Sequence, residues 1–193
     1  MILAAGRGER MRPLTDAMPK PLIPIAGRSM LDRAMARLGE HGVSDVVVNV
    51  HYLGEQIAQH LDERARIIRE ERLLESGGSV KNALPLLGDG PFFVLNGDGL
   101  WQDGRIPMLA RMEAAWDPAR MNALLLLHPL DKTIGREARD RGDYFLGPDG
   151  PFSLLKLWNR AEAAGRLYGL LHDGQWFHVG TPQALGDAER ALQ

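Results

Sequence analysis

The sequence predicts an α/β fold with a largely parallel sheet, and three observations carry that reading. Short apolar runs, such as Phe92-Phe93-Val94-Leu95, alternate with segments whose apolar residues recur at helical spacing. The runs are near-continuously apolar rather than alternating, as strands covered on both faces are. Polar or glycine-bearing turns follow them, notably Gly6-Arg7-Gly8 and Asn96-Gly97-Asp98. In open α/β sheets that is the end where ligands bind.

The first element is the run from Met1 to Ala5, long enough for one buried strand. It lacks a basic leading region and breaks at Gly6, so it reads as a strand rather than the start of a signal peptide. In the turn behind it, glycines let the backbone approach a ligand, and successive N–H groups form a concavity suited to phosphate oxygens. Arg7, Arg10 and Arg12 add positive charge within six residues. Pro19-Lys20-Pro21 then holds one lysine on a stiff, extended segment, where it suits a phosphate as a point charge. The turn is neither a dinucleotide fingerprint, because Met11 stands where the third glycine belongs, nor a P-loop, because no Gly-Lys-Ser/Thr follows.

Ser29 suits the N-cap of a helix over 30–41, with Met30, Leu31, Ala34, Met35 and Leu38 on one face and Gly42 closing it. A buried strand is expected at 46–50, a helix at 53–61 and a short strand at 65–68. The glycine loop Glu75-Ser76-Gly77-Gly78 runs into a helix over 80–87 and reads as an N-cap or as a phosphate approach. The strand at 92–95 ends at Asn96-Gly97-Asp98, where Asp98 suits a hard cation or the cap of the next turn. A helix over 107–116 and a core strand over 122–127 follow. The stretch 131–150 is polar, with Arg136, Arg139 and Arg141 close together and a short strand at 143–146. A helix over 154–164, a strand over 167–171 and a last helix entered at Pro182 with Thr181 as its cap complete the pattern.

The 193 residues suit one domain with a substantial core, and 45% hydrophobic with 25% charged residues is an ordinary balance. A net charge of −2 gives no basic field for nucleic acid. The absence of cysteine removes disulfides, thiolate metal sites and cysteine nucleophiles. No apolar run approaches the roughly 18 residues that span a membrane, so a cytoplasmic protein with neither nucleic-acid nor membrane partners is expected, as a monomer or a dimer.

The ordered string Leu3-Ala4-Ala5-Gly6-x-Gly8-x-Arg10-Met11-x-Pro13-Leu14-Thr15, followed by Pro19-Lys20-Pro21-Leu22, resembles the N-terminal signature of the sugar-1-phosphate nucleotidylyltransferases. Within that family it is most similar to the uridylyltransferases of peptidoglycan recycling. The resemblance implies a single-domain, Rossmann-like three-layer sandwich around a mostly parallel mixed sheet, with a nucleotide part over about 1–105 and a sugar-phosphate side over about 106–193. It implies as substrates a nucleoside triphosphate, UTP, and a sugar 1-phosphate, N-acetylmuramic acid α-1-phosphate. The alternatives are GTP- or dTTP-dependent hexose-1-phosphate enzymes, or a catalytically weak nucleotide-binding regulator. It implies catalytic roles for Arg10, Lys20 and Asp98, and nucleotide contacts from Leu3, Ala4, Ala5, Gly6, Gly8, Glu9, Arg10, Lys20 and Asn96. Glu75, Gly77 and Gly78 fall on the segment that reads the base, and Gly142 and Asp143 on the sugar pocket. Magnesium, with manganese as an alternative, is implied on Asp98. Asn49 and His51 lie at another strand end, with open roles.

Two features depart from the family pattern. Its usual second metal ligand is an aspartate, and His178 stands in that place. Imidazole suits manganese better than magnesium, so His178 either ligates the metal or packs beside Trp176 and Val179. The chain is also shorter, with an abrupt join at Gly147-Pro148-Asp149-Gly150-Pro151 on the acceptor side.

Overall fold

Four parallel strands form the spine of the computed structural model, which describes residues 1–136 and 153–192. They are β1 (Ile2–Leu3), β4 (Val47–Val50), β5 (Arg66–Arg69) and β6 (Leu95–Asn96), in the order β5-β4-β1-β6. Every residue of β4 is buried, as a central parallel strand covered on both faces requires. Its side chains alternate between the faces. Val48 and Val50 join Leu31, Leu38, Ile57 and Leu61 beneath α1 (Met30–Glu40) and α2 (Gly54–Leu61), while Val47 packs with Val80 and Ala83 of α3 (Glu75–Leu87). Asn49 shares the α3 face with Val47, and this places a polar side chain under the ligand crevice.

The expected cap holds: the Ser29 hydroxyl accepts from the Asp32 N–H at 3.0 Å, and Leu31, Ala34 and Leu38 of α1 are buried. Each fully buried leucine contributes about 1.5–3 kcal/mol to folding. Between β1 and α1 the chain makes a hairpin, β2 (Pro24–Ile25) and β3 (Arg28–Ser29), turned by Ala26 and Gly27 at φ 46° and 76°. Two consecutive positive φ values mark the turn that matches strand twist.

Two strands beyond the spine make the architecture mixed. β7 (Leu100–Gln102) pairs antiparallel with β10 (Gln175–Phe177), aligning Leu100 with Phe177 and Trp101 with Trp176. Phe177 and Val179 then enter a second core with Met11, Ile25, Met30, Leu100 and Ala188, the last from α6 (Pro182–Leu192). This packing returns the C-terminal segment to the opening loop. β8 (Ala123–Leu127) follows α4 (Met108–Ala115) and pairs parallel with β9 (Leu167–Leu171), against which α5 (Leu155–Ala163) packs. Thr181 caps α6, its Oγ1 accepting from the Ala184 N–H at 3.3 Å.

Some elements differ from the sequence reading. α3 begins at Glu75, not at 80, so the glycines lie inside its first turns. Gly78 fits because even a methyl group there would stand 3.0 Å from Leu74 Cβ, and the Ser79 hydroxyl donates to the Glu75 carbonyl at 2.8 Å. The strand expected at 92–95 is shifted to Leu95–Asn96, because β1, its partner, offers only Ile2 and Leu3. The strand at 143–146 lies outside the described residues. Among the described residues no helix is long and apolar enough to cross a membrane.

Candidate active site

The chain leaves β1 toward one side of the sheet and returns to β6 on the other, so the carboxyl ends of β1 and β6 face a topological switch point. A cavity of about 550 Å³ opens there. Leu3, Ala4, Ala5, Gly6, Gly8, Glu9, Arg10, Lys20, Glu75, Asn96 and Asp98 all line it, which brings together most of the residues singled out in the sequence. Gly77 and Gly78 do not line it. They lie within α3, whose Glu75, Ser76 and Ser79 form that wall instead. Gly142 and Asp143 lie outside the described residues.

The opening loop is fixed from within. Gly8 has φ +63°, and a Cβ there would come within 2.9 Å of Thr15 Cγ2 and 3.0 Å of Lys20 Cβ. The Gly8 carbonyl accepts from the Met11 N–H and the Thr15 hydroxyl, both at 2.9 Å. Arg7 and Arg10 line the cavity and are exposed. Arg12 does not reach it, being turned outward to Asp16 at 3.2 Å. Only two of the loop's three arginines therefore serve the site.

Lys20 opens a 3₁₀ turn, Lys20–Leu22, rather than continuing the extended segment read from its prolines. Pro19, at φ −65° and ψ 140°, sets the entry, and Pro21 is buried. The Lys20 ammonium meets Asp98 Oδ2 at 2.5 Å, with the lysine side chain 13% and the aspartate 39% exposed. Gly97 lets this pair form. Its N–H donates to the Leu3 carbonyl at 2.7 Å, and any Cβ would stand 2.8 Å from that oxygen. Asp98 is thereby held beside the end of β1.

Beneath the cavity lies a polar pair that sequence reasoning left open or missed. Asn49, fully buried, accepts from the Ala4 N–H at 3.0 Å and donates to Glu70 Oε1 at 2.8 Å. Glu70 Oε2 accepts from the Leu74 N–H at 3.2 Å. A buried carboxylate is costly unless its oxygens are hydrogen-bonded, and both are. The pair ties β1, β4 and the approach to α3 into one floor. Its available signal was the position of Glu70 immediately after a parallel strand. His51 does not line the cavity; its Nδ1 lies 2.8 Å from the Glu70 carbonyl.

Whether these residues suit a divalent cation turns on their donors. Asp98 presents a hard carboxylate whose Oδ2 is engaged by Lys20, while Oδ1 accepts no hydrogen bond from the described residues. No group of three or more His, Asp or Glu able to hold a metal occurs among the described residues. That donor set fits magnesium, which is commonly held by one or two carboxylates plus substrate phosphates and water. His178 does not line the cavity; Gly180 does. The His178 ring lies against Gly180, where a Cβ would be 2.6 Å from Nε2 and 3.5 Å from an Arg10 guanidinium nitrogen. His178 Nε2 is buried without a hydrogen-bond partner among the described residues.

A glycine turn, two arginines with no acidic partner among the described residues and a lysine–aspartate pair thus line one cavity at a switch point, where open α/β sheets bind ligands. The chain belongs to the nucleotidyl transferase family, whose model matches residues 1–128. It is 40% identical to the N-acetylmuramate alpha-1-phosphate uridylyltransferase of Caulobacter vibrioides, across all of this chain and 96% of that protein. The aligned span of 233 positions exceeds the 193 residues here, so that relative carries a stretch with no counterpart in this chain. The enzyme of the same name from Neisseria meningitidis is 46% identical over 52% of this chain and 46% of its own length. Two solved structures share the fold. HddC from Yersinia pseudotuberculosis, complexed with GMP-PN, superposes with a TM-score of 0.72 at 19% identity, covering 100% of this chain and 98% of that one. An apo UDP-glucose pyrophosphorylase superposes with a TM-score of 0.73 at 14% identity, covering 99% and 96%.

Proposed function

We propose that this protein joins UTP to N-acetylmuramic acid α-1-phosphate, releasing pyrophosphate, as a magnesium-dependent step of peptidoglycan recycling in the cytoplasm. The observation that carries the reading is the convergence of the Gly6–Gly8 loop, Arg10, Lys20 and Asp98 on one cavity. Full-length similarity to a uridylyltransferase supports the choice of nucleotide and sugar.

The acceptor phosphate is already an anionic nucleophile, so the reaction needs no general base. Its oxygen attacks the α-phosphorus in line, the bond to the β-phosphate oxygen breaks, and pyrophosphate leaves. The obstacle is repulsion between two polyanions. Loop N–H groups and Arg10 hold the outgoing phosphates, and Lys20 meets the charge that builds on the α-phosphoryl oxygens. Before nucleotide binds, Lys20 and Asp98 neutralise each other at 2.5 Å. Binding exchanges that contact: the ammonium turns to phosphate, and the carboxylate becomes available to the cation. Magnesium, held by Asp98 and by phosphate oxygens, would supply charge neutralisation and orient the phosphates; manganese is an alternative.

One observation favours a second reading, a nucleotide-binding regulator with weak turnover. The stretch of the Caulobacter vibrioides relative without a counterpart here leaves a shorter chain around the same nucleotide site. A panel of UTP, GTP and dTTP against N-acetylmuramic acid α-1-phosphate, glucose 1-phosphate and mannose 1-phosphate, read by pyrophosphate release, separates the readings. UTP with the muramic acid phosphate is expected to give the highest kcat/KM. Preference for another pair would reassign the substrates, and binding without release would favour the regulator.

A further inference from the structure

A second cleft, of about 130 Å³, opens between the β2–β3 hairpin, α1 and the start of β7. It shares no lining residue with the catalytic cavity. Its walls carry Arg28, Arg33 and Arg37, with Glu40, Gly99 and Trp101 completing them. The acids nearby are already engaged. Glu40 and Asp103 both pair with Arg37 at 3.2 Å, and Asp103 also accepts from the Trp101 indole N–H and the Met108 N–H. Arg28 and Arg33 have no acidic partner among the described residues.

Arg33 is the unusual member. One terminal nitrogen donates to the Ile25 carbonyl at 2.6 Å, which fixes the guanidinium, and its Nε is buried without a partner among the described residues. Burial, and then the charges of Arg28 and Arg37, disfavour its protonated form. Arg33 and Arg37 are also one helical turn apart, where like charges oppose each other. A guanidinium fixed in orientation beside two other arginines, with no acidic partner among the described residues, is the arrangement an oxyanion completes, since guanidinium groups bind phosphate through several parallel N–H bonds.

We propose that this cleft is a second anion site, taking a phosphate-class oxyanion on Arg28, Arg33 and Arg37. The volume suits one phosphoryl group rather than a nucleotide. Gly99 follows Asp98 directly, so the wall of this site and the catalytic carboxylate belong to one turn. The ion comes either free in solution or as the phosphoryl group of a small metabolite.

The test is a titration with inorganic phosphate at constant ionic strength set by chloride, read by the fluorescence of Trp101 at the cleft wall and by calorimetry. Wild type, Arg28→Ala and Lys20→Ala are compared. Arg28 is exposed and has no acidic partner among the described residues, so its removal leaves the fold intact. Arg28→Ala should weaken saturable phosphate binding about tenfold, one charge-assisted contact, whereas Lys20→Ala should leave it within about twofold. Glucose 6-phosphate in the same titration assigns the source: tighter binding than phosphate identifies an esterified ligand, equal or weaker binding the free ion. The proposal is overturned if phosphate gives no saturable signal beyond chloride, or if Lys20→Ala rather than Arg28→Ala abolishes it.

Discussion

Lys20 and Asp98 hold opposite charges 2.5 Å apart at the end of β6, and the proposed chemistry needs both on the phosphates. Removing the lysine therefore costs most when charge builds on the α-phosphoryl group. Lys20→Ala is expected to lower kcat on the order of 100-fold with a much smaller change in nucleotide KM. Steady-state kinetics check this, and activity within a few-fold of wild type would remove Lys20 from the mechanism. Asp98→Asn keeps the shape and loses the charge. Turnover should collapse while the melting temperature holds, and a destabilised but active variant would make Asp98 a structural cap. His178 stands behind Gly180 with its Nε2 unpaired among the described residues, and it does not line the cavity. His178→Ala should accordingly leave the magnesium dependence of the rate unchanged. A marked loss of metal affinity in a titration of activity would instead make the imidazole a ligand.

At the scale of elements, α1 is anchored through its first turn to the end of α2. Asp32 accepts from the Ser29 hydroxyl at 2.7 Å and from Arg64 at 3.0 Å, and it lies 2.9 Å from His60 Nε2. Burial alone would raise the Asp32 carboxyl, but hydrogen bonds from Ser29, Arg64 and His60 outweigh it and lower its pKa to about 2. A carboxyl lowered in the folded state adds stability above its unfolded value near 3.8, and that stability is lost as pH falls toward about 2. Asp32→Asn should lower the melting temperature at pH 7 by about 2–4 °C, roughly 1 kcal/mol for a chain of this size. Thermal denaturation across pH should show the gap between variant and wild type closing between pH 4 and 2. A gap independent of pH would mean that packing, not charge, holds this corner. The helices and strands with strong periodicity, such as α1 and β4, were legible in the sequence because their apolar spacing is also their burial pattern. The start of α3 was not, because Gly77 and Gly78 argue for a loop locally. Packing of Val80 and Ala83 against Val47 of β4 overrides that propensity.

For the molecule as a whole, the sheet order explains why residues far apart in sequence meet. β1 and β6 are neighbours, so the loop after one faces the aspartate after the other. Those residues were readable in advance because each follows a recognisable apolar run. The pairing of Asn49 with Glu70 was not, since it joins β4 to the residue just past β5, and the alignment of the two strands sets that contact. Arg12 was credited with a charge that its local pair with Asp16 diverts. The return of Val179 and Gly180 to the opening loop depends on β10 pairing with β7, a long-range contact with no local signal. The central claim is that this fold transfers a nucleotidyl group rather than only binding nucleotide. The most direct measurement follows UTP, N-acetylmuramic acid α-1-phosphate and magnesium by phosphorus NMR, with and without the sugar phosphate. Pyrophosphate and the nucleotide sugar should appear together in equal amounts, and only when the acceptor is present. Bound UTP that stays intact in the presence of every sugar 1-phosphate tested, or UTP cleaved without the acceptor, would contradict it.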